Sequence, residues 1–182
     1  HVVITAVARD DLADGGAEHF SRTVTSTKES NPGVGIEILV PDFNGKNEAL
    51  RVCMESEPHI FNHNLETVER LTKLVRSRAQ YKRSLEVLKK AKEFANELGY
   101  NVATKSGIML GLGETENEVM ESMDHLLENN VTVLTLGQYL RPSEKHLPVV
   151  EYIHPDQFHR LKEVAEEKGF RHVASGPLVR SS

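Results

Sequence analysis

Short runs of β-branched residues alternate along the chain with longer stretches whose apolar positions recur three or four apart. That alternation predicts βα units around a parallel sheet, about six of them. A first strand spans Val2 to Val7 and opens onto the acidic, glycine-rich loop from Arg9 to Gly16. A helix from about Ala17 to Glu29 follows and is stopped by Asn31-Pro32-Gly33. The second strand, Ile36 to Val40, runs into Pro41-Asp42-Phe43-Asn44-Gly45, and a short helix near Glu48 to Glu55 leads to Pro58. The third strand is His59 to His63; Asn64 to Thr67 reads as the next helix start. Tyr81 to Leu98 is a long amphipathic helix ended by Gly99. An apolar run through Lys105 to Leu110 is the fourth strand and Glu116 to Asn129 its helix. Val131 to Gly137, a helix from Pro155 to Lys168 and a strand from Phe170 to Ala174 complete the pattern.

The fourth unit organises the chemistry. Lys105 to Thr115 passes three glycines, Gly107, Gly111 and Gly113, within seven positions before an acidic helix start. Bare backbone there lets a flat or phosphorylated ligand approach closely; a glycine-rich turn is the alternative. The unusual polar residues follow the carboxyl ends of the strands, the edge at which both a βα barrel and an open doubly wound sheet build their sites. Asn62-His63-Asn64-Leu65-Glu66 is the densest group. On an extended strand Asn62, Asn64 and Glu66 share a face, which offers an amide and a carboxylate to a ribose diol. The alternative is a helix cap at Asn64 or Thr67. His59 and His63 are spaced as a helical metal pair, but Pro58 and Ile60-Phe61 favour a strand. Arg76, Arg78, Lys82 and Arg83 read as a solvated helix face from which one guanidinium could meet a cofactor carboxylate. Tyr139 and Arg141 read as a core-edge aromatic and a surface cation.

Composition narrows the classes. At 182 residues and 38% hydrophobic, the chain is expected to form one domain, 1–182, with one core. A net charge of -5 with acids and bases interspersed gives no basic stripe for nucleic acid, and no apolar run reaches membrane-spanning length. His1-Val2-Val3-Ile4-Thr5 does not read as a signal peptide but as a strand entered mid-chain, and Gly176 to Ser182 stops without a polar tail, so a fragment truncated at both ends is expected. The single cysteine, Cys53, excludes an internal disulfide and fits a bacterial cytoplasm or a mitochondrial matrix.

Several motifs together closely resemble the lipoyl synthase family across essentially the whole chain: Asp10-Asp11-Leu12 with Asp14-Gly15-Gly16, Val40-Pro41-Asp42-Phe43, Phe61 to Thr67, Lys105-Ser106-Gly107 through Gly111-Leu112-Gly113-Glu114, Gly137-Gln138-Tyr139-Leu140, and Ala174 to Ser182. The resemblance implies an α/β fold, a partial (β/α) barrel of the radical SAM type. It also implies S-adenosylmethionine and two 4Fe-4S clusters as cofactors. Asn64 and Glu66 would hold the ribose of S-adenosylmethionine, Arg83 its carboxylate, and the stretch carrying Gly107, Gly111 and Gly113 would line the adenine side. The implied reaction inserts two sulfurs into an octanoyl chain carried by a lipoyl domain or the glycine cleavage H protein, with ferredoxin or flavodoxin as electron donor. Family clusters take six cysteines ahead of the first strand, none of which is in this sequence. Ser182, with Ser181 as runner-up, is the implied serine ligand of the auxiliary cluster and the implied catalytic residue. Without those cysteines the chain alone is expected to be inert. Alternatives are a biotin-synthase-like sulfurtransferase, a nucleoside-binding scaffold without redox chemistry, and a lyase or aldolase using Lys105 as a Schiff base.

Overall fold

The computed structural model describes residues 1–180. Its strands are β1 (Val2–Thr5), β2 (Ile36–Leu39), β3 (Ile60–Asn62), β4 (Ala103–Leu110), β5 (Val133–Gln138) and β6 (His172–Gly176). The helices are α1 (Ala17–Ser30), α2 (Asn47–Met54), α3 (Thr72–Val75), α4 (Tyr81–Glu97), α5 (Glu116–Glu128) and α6 (Pro155–Lys168). The sheet order is β1-β2-β3-β4-β5-β6 and each pairing is parallel. A doubly wound sheet reverses its order at a switch point. This one never does, so it is the singly wound arrangement of a barrel segment.

Register separates the two faces. Ile38 pairs with Phe61, and Ser106, Ile108, Leu134, Leu136 and Val173 continue the rows on that side. Ser175, in register with Leu136, donates to the Phe158 carbonyl of α6, which marks this as the helix side. Phe20, Met54, Leu88, Met123, Leu126 and Phe158 meet it in one buried cluster. Each such side chain contributes roughly 1.5–3 kcal/mol on burial, so the helix side carries the stability.

The inner face mixes polar with apolar positions, Glu37, Asn62, Lys105 and Thr135 beside Leu39, Ile60, Met109 and Val133. Glu37 Oε1 accepts from Lys105 Nζ at 2.7 Å and from Asn62 Nδ2 at 2.9 Å, with the Glu37 side chain only 4% exposed. Pairing with Glu37 gives Lys105 a structural role inside the barrel, which speaks against the Schiff-base alternative.

Some expected boundaries move. β1 ends at Thr5 rather than Val7, which is 77% exposed, because β2 offers a partner only as far as Leu39. β6 begins at His172 rather than Phe170: α6 ends on Gly169 in the left-handed region and Phe170 N donates back to Ala165 O, so Phe170 belongs to the helix stop. No helix starts at Asn64 to Thr67; a 3-10 turn at Glu69–Leu71 leads into α3.

Candidate functional site at the strand ends

β3 stops at Asn62, so Asn62, Asn64 and Glu66 do not continue one strand as the sequence pattern suggests. Asn62 goes to the inner ion pair. Beyond it, Glu66 rejoins the sheet as an isolated bridge to Ile108: its N–H donates to Gly107 O and its carbonyl accepts from Met109 N, both at 2.9 Å. Its φ of 68° is a left-handed conformation that glutamate seldom adopts. Leu65 N donates to Ser106 Oγ at 3.1 Å, and Arg76 Nη1 donates to the Asn64 carbonyl at 3.0 Å. These bonds hold the kinked segment against β4.

Asn64 and Glu66 are thereby brought together. Asn64 Nδ2 donates to Glu66 Oε1 at 3.1 Å, while Asn64 Oδ1 is buried without a hydrogen-bond partner. Burial raises the Glu66 carboxyl above its ordinary value, opposed by the Asn64 hydrogen bond and the Arg76 charge. Both residues line a cavity of about 320 Å³ at the carboxyl ends of the strands, with Met109, Thr135, Gln138 and Arg180 among its other walls. A buried amide oxygen without a partner costs roughly 1–3 kcal/mol until a ligand satisfies it. The cavity thus offers an amide and a carboxylate to a polar ligand rich in hydroxyls or amines.

The other predicted residues are placed elsewhere. Gly107 lies in β4 in register with Thr135 on the inner face. Gly111 and Gly113 fall just past β4 with φ of 98° and 99°, where Glu114 holds the turn by accepting from Gly111 N (2.6 Å) and Leu112 N (2.9 Å). A Cβ on Gly111 would overlap the Glu151 carbonyl, so that glycine serves a turn and a loop contact and does not line the cavity. Arg83 is held by Asp42, through Nε at 2.7 Å and Nη2 at 2.6 Å, and is not among the cavity walls. Ser181 and Ser182 lie outside the described residues.

His63 is wholly buried between the Val40 carbonyl (2.9 Å) and Ser84 Oγ (3.0 Å), and burial pushes it down to about 4. A neutral imidazole tying β2, β3 and α4 together replaces the metal-pair reading. His59 Nδ1 accepts from Ile36 N, and among the described residues no group of three or more His, Cys, Asp or Glu could hold a metal. Burial pushes the Cys53 thiol up to about 12, which makes it a poor thiolate donor. Tyr139 is buried and donates to Leu147 O, as a core-edge aromatic should. Sequence reasoning missed Glu37, Met109 and Arg180. Glu37 carried a signal, a lone acid alternating between Ile36 and Ile38; Arg180 lies within the Ala174 to Ser182 motif, but its place at the cavity was not legible because a folded-back segment brings it there.

Parallel strands in chain order, with a cavity of mixed polar and apolar lining at their carboxyl ends, define an α/β protein of the partial-barrel type. A sequence model of the Radical SAM superfamily matches residues 1–126, and the chain belongs to that superfamily. Over all 182 residues it is 59% identical to the lipoyl synthase of Oceanobacillus iheyensis and 56% identical to that of Geobacillus kaustophilus. It spans 57% and 60% of the length of those two relatives. The crystal structure of methylornithine synthase superposes with a TM-score of 0.65 over 99% of this chain and 58% of that one. At 18% identity, that likeness speaks for the fold alone. No described helix is long and apolar enough to cross a membrane.

Proposed function

We propose that residues 1–182 are one domain, the barrel part of a lipoyl synthase: a sulfurtransferase that inserts two sulfur atoms into an octanoyl chain on a lysine of a lipoyl domain or of the glycine cleavage H protein. Identity of 56–59% over the whole chain to enzymes of that name carries the reading. The strand-end cavity supports it chemically, because the Asn64 Oδ1 atom without a partner and the adjacent Glu66 carboxylate fit the nucleoside end of S-adenosylmethionine. Glu66 would accept from the ribose hydroxyls, and Asn64 would gain the donor its buried oxygen lacks. Gly107 would leave room on the inner face for the adenine, while Gly111 and Gly113 shape the turn beyond it. Arg83 would serve the carboxylate only by exchanging Asp42 for it. When bound, and given one electron from outside these residues to break its sulfonium carbon–sulfur bond, S-adenosylmethionine would leave methionine and supply a carbon-centred radical for hydrogen abstraction.

The two 4Fe-4S clusters do not fit the residues here: one buried cysteine supplies no set of thiolates. Ser182, with Ser181 as runner-up, keeps the auxiliary-cluster role by resemblance. A ferredoxin or flavodoxin donor and a cytoplasmic location belong to the same reading. The test incubates the full-length protein anaerobically with S-adenosylmethionine, a low-potential reductant and an octanoylated lipoyl domain, followed by mass spectrometry of the domain. Replacement of two hydrogens by two sulfurs is expected. An unchanged octanoyl domain alongside consumption of S-adenosylmethionine on another substrate would overturn the reading.

A further inference from the structure

Beyond β6 the chain folds back over the sheet it has just left. Val179 N donates to Gly176 O at 3.1 Å, closing a turn, and Val179 and Arg180 then join Asn64 and Glu66 among the walls of the cavity. Arg180 Nη1 donates to the Val179 carbonyl at 2.7 Å and the Pro177 carbonyl at 3.4 Å, so the guanidinium braces this strap internally. Beneath it lies Gly137, in register with Met109 on β4 and Gly176 on β6. A Cβ built on Gly137 would overlap the Val179 carbonyl oxygen, and one on Gly176 would stand 3.6 Å from Val179 Cγ2.

Gly137 has no positive φ, unlike Gly111 at 98°. Its backbone would accept any residue, so the strap is what excludes a side chain. A glycine inside a strand commonly marks such a close approach of another backbone. We propose that Gly137 is a positioning residue that seats residues 177–180 as one wall of the cavity. A backbone carbonyl cannot rotate away as the end of a flexible side chain could, so even one methyl at 137 displaces the strap. Val179 and Arg180 then leave the cavity. Only the ligand arm of the following test rests on the proposed function.

In the full-length protein, Gly137→Ala should speed hydrogen exchange of the 177–180 segment at least tenfold while β4 and β5 amides exchange as before. Affinity for S-adenosylhomocysteine should fall at least fivefold. A stability cycle covers the case in which the variant folds poorly: after truncation following Gly176, Gly137→Ala should cost nothing, because the clashing carbonyl is gone. Unchanged strap exchange, acceleration spread across β4 to β6, or an equal cost with and without the strap would each overturn the proposal. A wild-type protein that ignores S-adenosylhomocysteine while showing the expected exchange pattern would sink the nucleoside reading and leave the strap assignment standing.

Discussion

Glu66 combines a left-handed backbone, a carboxyl raised by burial and a place on the cavity wall. Strained, desolvated groups concentrate where a ligand later compensates them. The folded chain binds the Glu66 proton more tightly than the unfolded chain does. The group therefore stabilises the fold below its unfolded value of 4.5, and that contribution is lost as pH rises through the raised folded value. Glu66→Gln removes the buried charge and keeps an oxygen for Asn64. In the full-length protein it should melt above the wild type at pH 7, with the difference closing below about pH 4.5. Calorimetry across that range checks this; a wild type that melts higher at pH 7 would mean that Arg76 and Asn64 outweigh the burial.

At the scale of elements, the turn from β4 into α5 was the most legible part of the chain. Three glycines, then Glu114 and Thr115, announced strand, turn and helix start, and the structure has all of them. Thr115 Oγ1 accepts from Glu118 N while the Glu118 carboxylate takes Thr115 N, a reciprocal capping box. Arg70 then clamps Glu118 at 2.6 Å and the Gly113 carbonyl at 2.9 Å. Thr115→Ala should cost roughly 1 kcal/mol, lowering the melting temperature by about 2–4 °C for a chain of this size. A loss several times larger would mean that the cap also supports the cavity. What the pattern could not show was the end of β3. Period-two reasoning put Asn62, Asn64 and Glu66 on one face, but β3 ends at Asn62 and the pairing slips by one residue before a left-handed Glu66 meets Ile108, and nothing in the residues themselves signals that slip.

On the scale of the whole molecule, six βα units were readable because strands and helices have different apolar periods. Barrel and doubly wound sheets share those periods, so only strand order, a long-range property, could separate them. The inner ion pair was hidden for the same reason: Glu37 and Lys105 are 68 positions apart in the chain and meet only when β2, β3 and β4 align. Lys105→Met would leave the buried Glu37 carboxylate with Asn62 and the half-exposed His1 imidazole at 3.7 Å as partners and should destabilise the protein by up to roughly 3–5 kcal/mol, with Glu37→Leu added alongside restoring much of the loss. Urea titration of the single and double variants reads both, and a harmless single variant would show that the pair contributes nothing. The proposed ribose cradle of Asn64 and Glu66 is tested by the affinity of full-length Glu66→Ala for S-adenosylmethionine, read by calorimetric titration. Loss of a charged acceptor should weaken binding by roughly 1.5–3 kcal/mol, about tenfold to a hundredfold, with the fold retained. Unchanged affinity in a folded variant would remove Glu66 from the site.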